Sequence, residues 1–490
     1  MKVVSYILSA LLVLVSCATG ENSATLLRSE EDLAGRKVAT VNGSYYARLL
    51  SAREDLQTML FSQEADAVQA LLIGKADVLV SDETLLNRNF RSEHGIEVAF
   101  KGKESIPTAL MFRKDGVPLA EAMNEVLRQM TLDGSLDSLK TYWLGENYLD
   151  DKTYSHIPPE KEGEPLRVIS ITTMAPIAFM VEGEWYGLEM DLVRALARKL
   201  HRQLVIKNVD AGSGMMALKT GMADVMIGCI FITDERKEEF LFCEPYNEYH
   251  PAYYVMGQGV RRGGASIWKR IGNSLEKNLV KENRWKLITS GLWETVKITV
   301  FAILLGAILG IGLCAMARSR RRWLRSVASA YNWFMAGIPM LVLLLILFYV
   351  VFAGSGLNST AVAVVAFALN FASGASSAYG TSLDAVSHGQ TEAGLALGFT
   401  RLQTFIHIVL PQAAKTGMPL FRSQCIALLK GTSIVGYIAI QDLTRAGDII
   451  RGRTFDALVP LLVVTVIYFV LAWLLGLAVK LLATPKKNVL

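Results

Sequence analysis

The residues that could do chemistry in this chain are few. None of its 5 cysteines pairs with another at metal-ligand spacing. Cys229 and Cys243 could meet in an oxidising compartment, but two free thiols are the expected state, and Cys314 and Cys425 fall in long apolar runs. No Gly-x-x-x-x-Gly-Lys-[Ser/Thr] phosphate loop occurs. The stretch from Glu392 to Pro411 has the chemistry of docking rather than catalysis. Glu392 is expected near a helix start, where the dipole favours a carboxylate. Ala393, Gly394 and Ala396 are small enough for a partner to come close, Gly398 should end the helix, and Pro411 should begin a return to apolar sequence.

The elements that must position these residues divide near residue 290. The chain has 490 residues, enough for two or three domains, and 52% of them are hydrophobic. The net charge of +5 is small for this length and not gathered into a stripe, so nucleic-acid binding has no support. Before residue 290, strand-like and helix-like stretches alternate; after it come long uncharged runs. Ile298 to Ala317 is uncharged and is followed by Arg318, Arg320, Arg321, Arg322 and Arg325, which predicts a span running from outside to inside. Ser326 to Leu383 predicts two more spans around the turn Gly354–Ser359, and Ala413 to Gln441 a fourth interrupted by Arg422 and Lys430. Ala457 to Val479 predicts a fifth. Arg445, Arg451 and Arg453 fit poorly in the outside loop this arrangement gives them. Residues 259–291, rich in Lys, Trp and Leu, are expected to form an amphipathic connector on the membrane surface or a plain solvated helix.

The N-terminus reads as a secretion signal over residues 1–17: Lys2, an apolar run from Val3 to Val15, then small residues. Its end, Leu14-Val15-Ser16-Cys17, resembles the lipobox of bacterial lipoproteins, which implies lipidation of Cys17. An ordinary signal with a chance cysteine is the alternative.

The segment Glu392-Ala393-Gly394-Leu395-Ala396-Leu397-Gly398-Phe399-Thr400 with Ile408-Val409-Leu410-Pro411 resembles the EAA loop of ABC importer permeases, with Gly394 in place of alanine. Ala336-Gly337-Ile338-Pro339-Met340-Leu341, Leu429-Lys430-Gly431-Thr432-Ser433 and Leu443-Thr444-Arg445-Ala446-Gly447 are similar to polar-amino-acid permeases, with Ala336 where those usually have Arg. The resemblance implies an all-α permease domain of five membrane helices over residues 292–484. It also implies a separate cytoplasmic ABC ATPase that binds the ATP and Mg, so that no cofactor sits on this chain. A second permease copy is expected too, as a homodimer, with pairing to a related subunit as the alternative.

The front region, 22–258, resembles the α/β two-lobed periplasmic binding proteins that serve such permeases, in an unusual order. Glu31 to Ser44 and Ala65 to Glu83 look like lobe two (25–115), and Asn124 to Gly145 like the closing helices (116–145). A linker (146–165) then precedes Leu166-Arg167-Val168-Ile169, Tyr186 to Leu192 and Ile232-Thr233-Asp234-Glu235-Arg236 of lobe one (166–258). The expectation is one circularly permuted domain with new ends at the hinge; two half-domains completed by a partner chain are the alternative. The resemblance implies that Arg236 grips a ligand carboxylate, that Asp82 takes an ammonium, and that the helix start at Gly43-Ser44-Tyr45 helps hold the carboxylate. Where the family has an Asp and an aromatic, this chain has Ile171 and Met174, and its small or hydroxyl positions are Cys229 and Phe231. Phe179, Phe231 or Tyr45 is therefore expected to pack on the ligand, an amino acid or close derivative.

Three rival functions lack their parts. A ligand-gated channel or solute-sensing receptor needs a filter segment or an output domain, and a cell-wall lytic enzyme needs a soluble catalytic domain. None of these is evident in the sequence.

Overall fold

The computed structural model describes residues 27–86, 88–145, 157–257, 272–353, 355–456 and 458–483. The expected signal segment with Cys17, most of the expected 146–165 linker and residues 258–271 of the connector lie outside them.

Two five-stranded sheets build the front domain. Lobe two has the order β2-β1-β3-β14-β4, from β1 (Lys37–Val41), β2 (Gln57–Phe61), β3 (Val78–Asp82), β4 (Ile96–Lys101) and β14 (Pro251–Met256). Lobe one has the order β10-β7-β11-β6-β12, from β6 (Met111–Arg113), β7 (Pro165–Ser170), β10 (Gln203–Asn208), β11 (Val225–Ile227) and β12 (Phe240–Phe242). The apolar runs in β3 and β7 suit strands covered on both faces. The chain passes between lobes twice, along β5 (Ile106–Thr108) and β13 (Asn247–Tyr249), which pair antiparallel as a hinge. In lobe two β1 runs parallel to β2 and β3, and in lobe one β7 runs parallel to β10 and β11.

Both lobes are complete within one chain, and their boundaries differ from the expected ones. Pro251–Met256, assigned to lobe one, pairs with β3 and β4 in lobe two. Met111–Arg113, assigned to lobe two, pairs with β11 and β12 in lobe one. The chain's order therefore breaks inside lobe two, between β14 and β1, and not at the hinge. Insertion of a strand between two others, β14 between β3 and β4 and β6 between β11 and β12, leaves no periodic signal by which to see this in advance.

Behind the front domain lies an all-helical region. Helix α7 (Trp285–Ala317) starts seven residues before the expected domain boundary, and α10 (Ser359–Asp384) packs along it. The helices α1–α6 are Tyr45–Ser51, Glu64–Leu72, Val117–Leu132, Ser135–Leu144, Leu188–Lys199 and Ala211–Lys219. Gly306 and Gly310 allow the α7–α10 contact, since a Cβ on them would lie 2.7 Å from Ala368 O and 2.8 Å from Ala375 Cβ. Helices α8 (Arg322–Gly337) and α9 (Met340–Ile346) meet at Pro339, and α11 (His388–Ala396) carries the loop motif. Beyond it lie α12 (Leu410–Gly431), α13 (Leu443–Thr454) and α14 (Leu458–Ala483). Among the described residues three helices are long and apolar enough to cross a membrane: α7, α10 and α14. Two further pairs bend by 107° and 53°, at Ile338–Pro339 and before α13, so a count of five requires each bent pair to be one span.

Candidate functional site: a two-lobed cleft seated on a helical bundle

The cleft is built from strand ends. Parallel strands of both lobes point their C-terminal ends at each other, and the residues just after them line the gap. Lobe two contributes Asn42–Tyr46 after β1, Ser62–Glu64 after β2 and Asp82 ending β3. Lobe one contributes Ile171 and Thr172 after β7, Asp210 after β10 and Gly228–Phe231 after β11, with Arg236 from the short helix Asp234–Glu239. Ligand sites in open α/β sheets arise at such ends, where backbone N–H groups and helix starts converge.

Asp82 is half-buried, and its Oδ1 accepts from Thr84 N at 2.9 Å and from Thr84 Oγ1 at 2.5 Å. Burial raises its carboxyl above the ordinary range, and the two Thr84 bonds pull the other way. Across the cleft, Arg236 Nη1 donates to Phe231 O at 3.0 Å and Nη2 donates to Gly43 O at 3.2 Å, so the guanidinium already ties lobe one to lobe two. Exposed Arg48 and Glu235 add a second tie at 2.6 Å. Ser44 is spent locally: its Oγ accepts from Ala47 N at 3.0 Å to cap α1, and its N–H donates to Val41 O.

Three aromatic rings close one side. Tyr45 lies 5.9 Å from both Tyr46 and Phe231, and Tyr46 lies 5.4 Å edge-on from Phe231. Phe179 is not with them. It is fully buried in lobe one, edge-on to Trp143 at 5.8 Å, with the Arg453 guanidinium 4.4 Å over its ring. The hairpin of β8 (Phe179–Val181) and β9 (Glu184–Tyr186) turns the ring toward closing helix α4, so Phe179 belongs to the core and not to the cleft. Met174 is likewise buried, in a cluster with lobe-two residues and Phe455, whereas Ile171 does line the cleft. Gly228 (φ +129°) makes room for Ile171, whose Cγ1 would lie 2.6 Å from an added Cβ.

Cys229 holds a left-handed backbone (φ 53°), fixed by its N–H donating to Glu189 Oε1 at 2.7 Å. The Tyr246 hydroxyl also donates to Glu189, which is fully buried and whose carboxyl burial pushes up to about 7. Cys229 and Cys243 are free thiols.

Among the cleft residues not expected from sequence are Glu64, Tyr46, Thr172 and Asp210. Glu64 opens α2 at the end of β2, and its position after a strand was the available signal. Burial first, and the neighbouring Asp82 second, push its carboxyl up to about 7.

Two of the three arginines that fitted poorly in an outer loop find polar partners on the front domain, and the third finds one on the connector. On α13, Arg445 donates to Asn208 of lobe one and Arg451 pairs with Asp66 of lobe two. Arg453 pairs with Glu282 at 2.9 Å. Gly452 fits against Thr173, whose Oγ1 would lie 2.5 Å from an added Cβ. Between cleft and bundle lies a cavity of about 400 Å³, lined by Asn42, Gln63 and Asp210 from above and by Tyr437, Arg445 and Asp448 from below.

At the far end of the bundle, Glu392 sits exposed midway along α11, not at its start. Gly394 is buried, and a Cβ there would lie 2.6 Å from Thr404 Cγ2 and 2.9 Å from Ile408 Cδ1, which accounts for glycine in place of alanine. Gly398 (φ +87°) ends the helix through the Phe399 N–H to Gly394 O bond. Pro411 lies in the first turn of α12, which continues from the turns over 401–409 rather than starting afresh. Leu397 and Leu402, with Phe399 and Ile406, leave apolar surface exposed beside Glu392.

The family model "Binding-protein-dependent transport system inner membrane component" matches residues 302–485. "Bacterial extracellular solute-binding proteins, family 3" matches residues 166–337, from β7 into the helical region. The L-cystine transport system permease protein TcyB of Bacillus subtilis (strain 168) is 33% identical over 210 residues, 42% of this chain and 89% of that protein. The arginine ABC transporter permease protein ArtM of Haemophilus influenzae is 28% identical over 218 residues, 42% of this chain and 92% of that protein. A solved amino acid ABC transporter with histidines is 28% identical, covering 45% of this chain and 99% of that one with a TM-score of 0.38. The chain therefore belongs to the family of binding-protein-dependent transport system inner membrane components, with a solute-binding domain fused ahead of the permease.

Proposed function

We propose that this chain imports an amino acid across the bacterial cytoplasmic membrane, as the permease subunit of an ABC transporter with its binding domain on the outer side. The observation that carries this reading is the placement of Asp82 and Arg236 on facing lobes of one cleft, above a cavity floored by permease residues. A ligand's ammonium would meet Asp82 and its carboxylate Arg236, so binding would draw the lobes together. The permease homologues for cystine, glutamine and arginine support an amino acid as cargo.

The exposed Glu392 face is the docking surface for a cytoplasmic ATPase, which binds ATP and Mg. Movement of that helix would open the bundle outward. A second copy of the chain would complete the pathway as a homodimer.

Full-length protein in nanodiscs, titrated calorimetrically with the common amino acids, is expected to bind at least one of them saturably. Binding none would move the cargo outside the amino acids and leave the family assignment standing. In proteoliposomes loaded with the ATPase, Glu392→Ala with Gly398→Ala is expected to abolish uptake and leave binding intact. Loss of binding in that double variant would break the division of labour.

A further inference from the structure

The charges around the cleft do not balance for a neutral amino acid. Lobe two offers two carboxylates, Asp82 and Glu64, on one wall. Lobe one offers one guanidinium, Arg236, and one further carboxylate, Asp210, whose Oδ1 and Oδ2 are taken by Ser213 N at 3.1 Å and Ser213 Oγ at 2.6 Å. Among the described residues no hydrogen bond or ion pair reaches Glu64. Arg236 uses two of its N–H donors on backbone carbonyls and keeps others for a ligand carboxylate. A neutral amino acid brings one ammonium, which Asp82 can take, and leaves Glu64 half-buried without a counter-charge. A charge left unpaired on closure is costly, so with a neutral ligand Glu64 would have to hold a proton, whereas a second ligand cation would pair with its charged form.

A second, independent observation points the same way. Tyr46 is only 3% exposed and lines the cleft, yet among the described residues its hydroxyl has no hydrogen-bond partner. With Tyr45 and Phe231 it makes a three-ring wall that suits the alkyl stem and cationic head of a long side chain. In the cavity toward the bundle Asp448 pairs with Arg451 at 2.9 Å and Asp442 caps α13, so among the described residues the carboxylates with neither a cationic partner nor a helix to cap are Asp82 and Glu64 on the lobe-two wall. Such a wall attracts cations.

We infer that the cleft selects a cationic amino acid, one with a second positive charge on its side chain, and that Glu64 is the residue that reads this charge. The inference rests on the amino-acid reading above and names its substrate class. Asp82 and Arg236 hold the α-ammonium and α-carboxylate, and Glu64 meets the side-chain ammonium or guanidinium.

The test is calorimetry on the full-length chain in nanodiscs with five probes: L-arginine, L-lysine, L-glutamine, L-cystine and putrescine. Arginine or lysine is expected to bind at least about 30-fold tighter than glutamine or cystine, a discrimination typical of losing one buried charge partner. Glu64→Gln should remove most of that preference by weakening the cationic ligands alone, and Glu64→Asp should restore part of it. Retained glutamine affinity in Glu64→Gln would show that the variant is folded. Tighter binding of glutamine or cystine by the unaltered protein, or an unchanged preference in Glu64→Gln, would overturn the inference and leave amino-acid import intact. Binding of putrescine without any amino acid would overturn the amino-acid reading and the inference with it. Binding of no probe would overturn both.

Discussion

The two walls of the cleft are made by equivalent strand ends yet carry different chemistry. Lobe two presents Asp82 and Glu64, two carboxylates on a polar surface. Lobe one presents Ile171, Ile230 and Phe231 with a half-buried thiol at Cys229, and Arg236 reaches in from a separate short helix. The difference teaches that sheet topology chooses where a site lies and loop residues choose what it binds. Among the described residues, lobe two carries the two carboxylates without a cationic partner and two of the three rings; lobe one supplies the third ring, the helix-capping Asp210 and the one guanidinium that also latches the lobes together.

That comparison can be broken in three ways. The largest effect is expected from Arg236→Ala, which removes the carboxylate fork and the Gly43 latch together. Loss of at least about 100-fold in ligand affinity, near 3 kcal/mol, is expected by calorimetry. A loss under tenfold would mean that the carboxylate is held elsewhere.

A mid-sized effect is expected from pH. Glu64 shares its wall with Asp82 and Tyr46 and faces Asp210, Arg236 and Cys229 across the cleft; burial first, and Asp82 second, push its carboxyl up to about 7. In the free protein a raised carboxyl contributes stability below its unfolded value, and that contribution fades as pH climbs through about 7. A bound cation favours the charged form, so its binding releases a proton and its affinity should rise about tenfold from pH 6 to pH 8. Glu64→Gln should flatten this profile, and a profile unchanged in that variant would assign the proton elsewhere.

The smallest effect on binding is expected from Phe179→Leu. Phe179 packs under Arg453 and against Trp143, away from the cleft. Affinity should stay within about twofold while thermal unfolding shows a stability loss of about 1–2 kcal/mol. A marked affinity loss would show that the lobe-one core sets the cleft's shape.

Much of the molecule was legible without coordinates because its motifs are local. Apolar length announces α7 and α14, since a span must satisfy its backbone internally. Gly398 and the small residues around it are compatible with one kind of helix end. Asp82 and Arg236 were found because each stands in a motif a few residues long, and both do line one cleft. Glu64 was missed because its own neighbours look like any amphipathic helix start. It becomes a cleft residue only when β2 pairs in parallel beside β1 and aims α2 at the other lobe. Phe179 was misplaced because an aromatic residue in sequence carries no direction, and a tight hairpin turned it into the core.

The sequence by itself determined the two-part architecture, the membrane helices and the loop motif, because periodicity, apolar length and backbone-specific residues act over short stretches. Only the tertiary structure decided where β14 inserts, which carboxylates share a wall, and how the α13 arginines meet Asn208 and Asp66. Those outcomes depend on pairing and charge contacts between segments up to 385 positions apart, and nothing local encodes such contacts.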